Sequence, residues 1–259
     1  MIDPEWLDDL LAHISEDVRA TLAGELGSQP LHELVDELGA FAETLRATWD
    51  EKLPVEHRRL PVCQPGCDTC CKLHAVFVSP AEALRLARWL REHRSEEELT
   101  ALVKRLDEAA FIVSEMTLAQ RAKARVPCPL LDEHGACSAH PARPLLCRAY
   151  NSCDRDACLA AFQAGDPNTR LLVNEHQWEV TRTLFAALIK GGGQGRDAGP
   201  LELIHALRDA LTIPDAETRW LAGEHVFETD DVRITREAAP RWQTFVQGDL
   251  RRRDLDPSS

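Results

Sequence analysis

Residues 63–71 read CQPGCDTCC, so four of the chain's nine cysteines fall within nine residues and the last two are adjacent. This stretch constrains the fold more than any other. Cys67, Cys70 and Cys71 lie among Gly, Asp, Thr and Lys, with no apolar periodicity that would bury them as small hydrophobes. Nine is an odd number, which argues against a closed disulfide framework. Thiolates are strong soft-metal ligands, and the C-x2-C spacing of Cys67 and Cys70 lets two sulfurs reach one ion from a single turn. Cys63 extends the pair. The neighbours Cys70 and Cys71 send their side chains in different directions. Together they fit two metals or two irons of a larger cluster, or one binds and the other supports it.

The remaining cysteines are Cys128, Cys137, Cys147, Cys153 and Cys158, all between residues 126 and 158. Cys128 precedes Pro129, and the stretch DEHG at 132–135 reads as a turn. Arg143 and Arg148 flank Cys147, where cationic side chains lower a thiol pKa and offset the charge of a thiolate-rich centre. His74 and His140 lie near the cysteines without a paired His spacing. Cys158, in DACLAAF, reads equally well as a buried helix residue.

Elsewhere the pattern is helical. Trp6, Leu7, Leu10, Leu11, Ile14 and Val18 recur every three or four residues, as do Leu31, Leu34, Val35, Leu38, Phe41, Leu45 and Trp49 after Ser28 and Pro30. The segment HAVFV at 74–78 reads as extended. Two capping boxes follow, Ser79 with Glu82 and Ser95 with Glu98. Leu99, Leu102, Val103, Leu106, Ala110 and Val113 mark a helix expected to run to about Lys123. Further helices are expected over 175–190, closed by GGG at 191–193, and from Pro200. The predicted fold is therefore all-α, with two irregular cysteine-rich loops. A helical hairpin from Ser79 to Lys123 would set its exit beside its entrance and unite the loops. The expected organisation is an N-terminal helical pair (1–52), a cysteine-cluster metal-binding domain (53–165) and a C-terminal helical region (166–259).

The formal net charge of −13 argues against a nucleic-acid partner. RRR at 251–253 reads as a solvated tail. No apolar run reaches the roughly 18 residues of a membrane span, and MIDPEWLDDL has no leader pattern. A cytoplasmic location, no membrane partner and reduced thiols are expected, with a protein partner left open. GGGQG at 191–195 lacks the G-K-[ST] ending of a phosphate loop. No nucleophile–base pair assembles from sequence.

The residues CQPGCDTCC (63–71), VFVSPAEALRLA (76–87) and CPLLDEHGACSAHPARPLLCRAY (128–150) resemble the YkgJ-like cysteine-cluster family, to which zinc or iron chelation is ascribed. Arg143, Pro144, Cys147 and Arg148 match its R-P-x-x-C-R pattern. Three residues separate Cys63 from Cys67 where the family has two, and SAH (138–140) replaces its apolar–aromatic pair. The resemblance covers roughly 60–158. A flagellin lysine methylase is a distant relative by this motif, which implies a scaffold able to hold an iron–sulfur cluster. The candidate ligands are Cys63, Cys67, Cys70, Cys71, Cys128, Cys137, Cys147 and Cys153. Arg143 and Arg148 are the candidate cofactor-binding residues, and the expected cofactor is an iron–sulfur cluster or zinc. A cluster-dependent methyltransferase or redox enzyme, and a zinc-stabilised interaction module, are the alternatives.

Overall fold

A computed structural model describes residues 2–24, 29–55, 61–165, 173–193, 197, 199–227 and 235. It is all-α, with eleven α-helices and one two-stranded sheet among the described residues. RRR at 251–253, Ser28 and part of the expected C-terminal region lie outside them.

Helix α1 (Pro4–Ala23) begins where Asp3 accepts the backbone N–H of Glu5 and Pro4 presets the first turn. Helix α2 spans Gln29–Lys52. Both pack against α9 (Glu175–Gly192), whose N-cap Asn174 accepts from Gln177. Every residue of α9 from Val180 to Ile189 is buried, as befits a helix surrounded by others. The approach of α1 to α9 is close enough that Gly191 stands against Val18 and the carbonyl of Ser15.

A second core lies around α4 (Pro80–His93), α5 (Glu96–Val113) and α10 (Leu203–Thr212). Leu84, Leu90, Leu102, Leu106 and Leu207 fill it, with Trp220 from α11 (Ala216–Leu221). Both capping boxes form as expected, at Ser79 with Glu82 and at Ser95 with Glu98.

Two expectations need correction. Helix α5 stops at Val113 instead of running to Lys123, because Thr117 and Gln120 form a third capping box that opens α6 (Leu118–Ala124). Pro200 does not start a helix either. Leu201 and Glu202 form β2, antiparallel to β1 (Phe77–Val78), with Phe77 opposite Glu202 and Val78 opposite Leu201. Glu202 itself caps α10, its carboxylate accepting from Ile204 and His205. The sheet ties the segment after the first cysteine loop to the start of α10.

The union of the loops therefore has a different cause from a simple hairpin. Helices α4 and α5 both lie on α10, and α6 turns back onto α3 (Thr69–Leu73). The chain leaves α6 beside the point where it entered, and the N–H of Cys128 donates to the carbonyl of Cys71 at 3.0 Å.

Candidate metal centre

The first loop is short of regular structure until Asp68, where α3 begins. In a helix, successive side chains are turned by about 100°. Cys70 and Cys71 are consecutive in α3 and so face different neighbours. Cys70 shares a face with Leu73, three residues on, and that face packs on α8 (Arg155–Ala164) beside Cys158 and Ala161. Cys71 is turned instead to the second loop.

That loop is built around a tight turn. The Asp132 carboxylate accepts from His134 and Ala136, and Gly135 takes φ +75° to close the turn. Leu131 bridges to Cys137 across it, which sets Cys137 beside Cys128. Gly66 in the first loop has φ +84°, and a Cβ on it would stand 3.2 Å from the carbonyl of His134. The two turns thus meet at positions that favour glycine twice over, by conformation and by space.

Cys147 reaches the same place by another device. It lies in α7 (Leu145–Ala149), and the N–H of Leu145 donates to Glu82 at 2.7 Å. The other oxygen of Glu82 accepts from the N–H and hydroxyl of Ser79. One buried carboxylate therefore holds the start of α4 and the start of α7 together. Burial raises its pKa, against the hydrogen bonds from Ser79 and Leu145 that lower it.

The result is a cavity of about 530 Å³ whose wall includes Cys63, Cys67, Cys70, Cys71, Cys128, Cys137 and Cys147. His74, His140 and Arg143 line it too. Two of the expected site residues do not. Cys153 stands outside the lining, two residues past Asn151, whose side chain donates to Gln177. Arg148 is engaged elsewhere, donating to Glu43, the carbonyl of Arg143 and the carbonyl of Pro141.

Burial pushes the thiols up, Cys71 to about 11 and Cys70, Cys128 and Cys147 well above the ordinary range. After burial, the thiols act on one another across the whole group. Cys158, Cys63, Cys71 and Cys67 raise Cys70 further, Cys71, Cys128 and Cys137 raise Cys147, and Cys71 itself feels Cys137 and Cys67. Packing divides them into two neighbourhoods: Cys70 lies against the small cluster of Leu73, Ala122, Cys158 and Ala161, while Cys128, Cys137 and Cys147 pack on the core of α4, α5 and α10. Arg143 opposes the rise at Cys71, Cys137 and Cys147.

Does this arrangement suit a metal? The donor chemistry does. Protonated thiols gathered in one low-dielectric cavity are costly to ionise singly, and a soft cation supplies the missing charge. Among the described residues, however, no three His, Cys, Asp or Glu side chains converge closely enough to hold one ion as they stand. The sulfurs are gathered on a shared wall, and binding requires them to turn inward.

Three features of the site escape a reading of the sequence. Cys158 belongs to the first neighbourhood, although its local pattern is that of a buried helix residue, and it is indeed buried at 6% exposure. Arg121 on α6 and Glu202 on β2 also line the cavity. Neither carries a local signal, because the sheet and the return of α6 bring them there.

A family model described as "CxxCxxCC: Putative zinc- or iron-chelating domain" matches residues 62–171. The match takes in all nine cysteines, Cys63 included, and with the thiol-lined cavity it points to metal binding. No curated protein and no solved structure matches the chain, so the distant relation to a flagellin lysine methylase is not shown. No helix among the described residues is long and apolar enough to cross a membrane.

Proposed function

We propose that the chain is a cysteine-ligated iron protein with two four-thiolate sets, Cys63, Cys67, Cys70 and Cys158 in one and Cys71, Cys128, Cys137 and Cys147 in the other. The observation that carries this reading is the divergence of the neighbours Cys70 and Cys71: Cys70 packs beside Leu73 and Cys158, whereas the thiol that acts most on Cys71 is Cys137. Four thiolates are the ligand set of both common iron–sulfur clusters. A single tetrahedral zinc would use four of the eight and leave the others buried without function. Arg143 offsets part of the negative charge of the second set.

Bound there, such a cluster supplies one-electron redox chemistry or a Lewis-acidic iron. The protein's part is to gather the thiols, shield them from water and balance their charge. The same eight thiols could hold two zinc ions, and the open cavity beside them separates both readings from a sealed structural zinc knot.

Protein made and purified without oxygen tests the proposal. It should be brown, absorb broadly in the visible and contain acid-labile sulfide in proportion to iron. Colourless protein with stoichiometric zinc and no sulfide, prepared the same way, would replace iron with zinc. Cys70→Ser and Cys71→Ser made separately test the division. Each should lose about half of the iron, whereas complete loss from either one would mean a single centre.

A further inference from the structure

The cavity is larger than its thiols require. Its volume of about 530 Å³ falls within the roughly 300–1,000 Å³ of small-molecule pockets, while a bound zinc reaches its sulfurs at only about 2.3 Å. Much of the wall is aliphatic, including Val76, Leu86, Leu130, Leu203 and Ile204.

Two buried polar atoms on that wall have no hydrogen-bond partner among the described residues. Arg121 is 2% exposed and donates to the carbonyl of Val126, while its Nε–H is buried and unmatched. Among the described residues it forms no ion pair. Glu202 acts on it through space, and one oxygen of that carboxylate, Oε2, is held by the N–H groups of Ile204 and His205 and by the His205 ring. His74 is 7% exposed and stacks on Tyr150 with ring centroids 4.6 Å apart, yet its Nε2 is buried with no partner. A buried guanidinium with no direct ion pair is expensive, and a buried donor without an acceptor adds to that cost. Both are relieved by an anionic oxygen.

The geometry points to a small organic monocarboxylate with an apolar body as the ligand of this cavity. Its acid group meets Arg121 Nε–H and His74 Nε2, and its body lies along the aliphatic wall. The inference rests on the reading above only for what lies beside the acid. The rival account is that Arg121 is the counter-ion of the thiolates, Cys128 above all, whose charge also acts on it.

Hexanoate, hexan-1-ol and hexylamine have similar bodies and differ in charge, so they serve as probes. Each is titrated calorimetrically into full-length, anaerobically purified protein and, separately, into the same protein stripped of metal. Iron, zinc and sulfide are assayed on every sample. Saturable binding of hexanoate, at least about tenfold tighter than of the alcohol or the amine, is the expected result. Arg121→Met should weaken hexanoate by about tenfold or more with the metal content unchanged, and Arg121→Lys should restore part of the loss. Absence of saturable hexanoate binding in both forms overturns the inference. So does binding of the three probes with equal affinity, or an Arg121→Met protein that binds hexanoate as well as the wild type. If Arg121→Met loses metal along with hexanoate, Arg121 is the counter-ion of the thiolates and the inference falls. The three-probe comparison on the wild type decides the matter even if the variants do not fold. Failure of the metal reading appears in the assays and leaves the titration of metal-free protein intact.

Discussion

At the residue scale, the pair Cys70–Cys71 and the carboxylate of Glu82 decide the most. The adjacent cysteines divide because a helix turns each residue away from the last. Cys158 and Cys153, five residues apart, have opposite fates for a similar reason. Helix α8 presents Cys158 to Cys70, whereas Cys153 precedes the helix and stands off the cavity. Cys158→Ser should therefore lower the bound metal by about half, and Cys153→Ser should leave it near the wild-type level; metal analysis of the two purified variants checks both. The carboxylate of Glu82, at 2% exposure, accepts three hydrogen bonds, from the Ser79 N–H, the Ser79 hydroxyl and the Leu145 N–H, and the Glu82 N–H donates to the Ser79 hydroxyl. Glu82→Gln sets an amide NH2 against donors and should cost about 1–3 kcal/mol in urea unfolding at neutral pH. The pH dependence has a definite sign. The folded pKa lies above the unfolded value of 4.5, so between the two the folded state holds the extra proton. Stability from this group is full below 4.5 and declines as pH rises through the folded value. The stability gap between wild type and variant should narrow across that window, and a constant or widening gap would contradict it.

At the scale of elements, the contact of α1 with α9 depends on Gly191. A Cβ there would come within 2.5 Å of Val18 Cβ and 2.7 Å of the Ser15 carbonyl oxygen. Neither is the far end of a flexible chain, so the helices must part. Gly191→Ala should lower the unfolding free energy by about 2–3 kcal/mol despite alanine's better helix propensity. Thermal unfolding of the variant measures it, and a stabilised protein would show that the helices are farther apart than described. The helix starts were legible because capping is local chemistry: Ser79 with Glu82 and Ser95 with Glu98 are three residues apart in sequence and in space. Thr117 with Gln120 is the same signal, and the apolar rhythm continuing through Val113 hid it. Pro200 misled because Leu201 and Glu202 pair with β1, a partner more than 120 residues away that no local pattern announces.

For the whole molecule, the site lies where two cores and a small third cluster meet, and metal should matter unevenly. Helices α1, α2 and α9 bury one another without help from the thiols. The loops at 61–68 and 126–142 have little apolar area of their own. Removing metal with a chelator should speed hydrogen exchange in both loops while α9 keeps its protection. Leu145 and Leu146 are buried against α9, so α7 should follow α9 rather than the loops. Equal protection of the loops with and without metal would mean that contacts such as the Gly66–Gly135 approach hold them unaided.

The sequence by itself determined the helical class, the caps and the presence of a thiol-rich site, since each depends on residues close together along the chain. It also placed the turn at 132–135 and the differing directions of Cys70 and Cys71. Only the tertiary structure decided that seven thiols share one cavity, that Cys158 packs beside Cys70 while Cys153 stands off the cavity wall, and that Arg121, Glu202 and His74 complete the wall. Those outcomes depend on α6 returning to α3, on the pairing of β1 with β2 and on the carboxylate of Glu82 reaching Leu145. Each joins residues dozens of positions apart, and such a juxtaposition is set by the packing of several helices together, which no single stretch of the chain records.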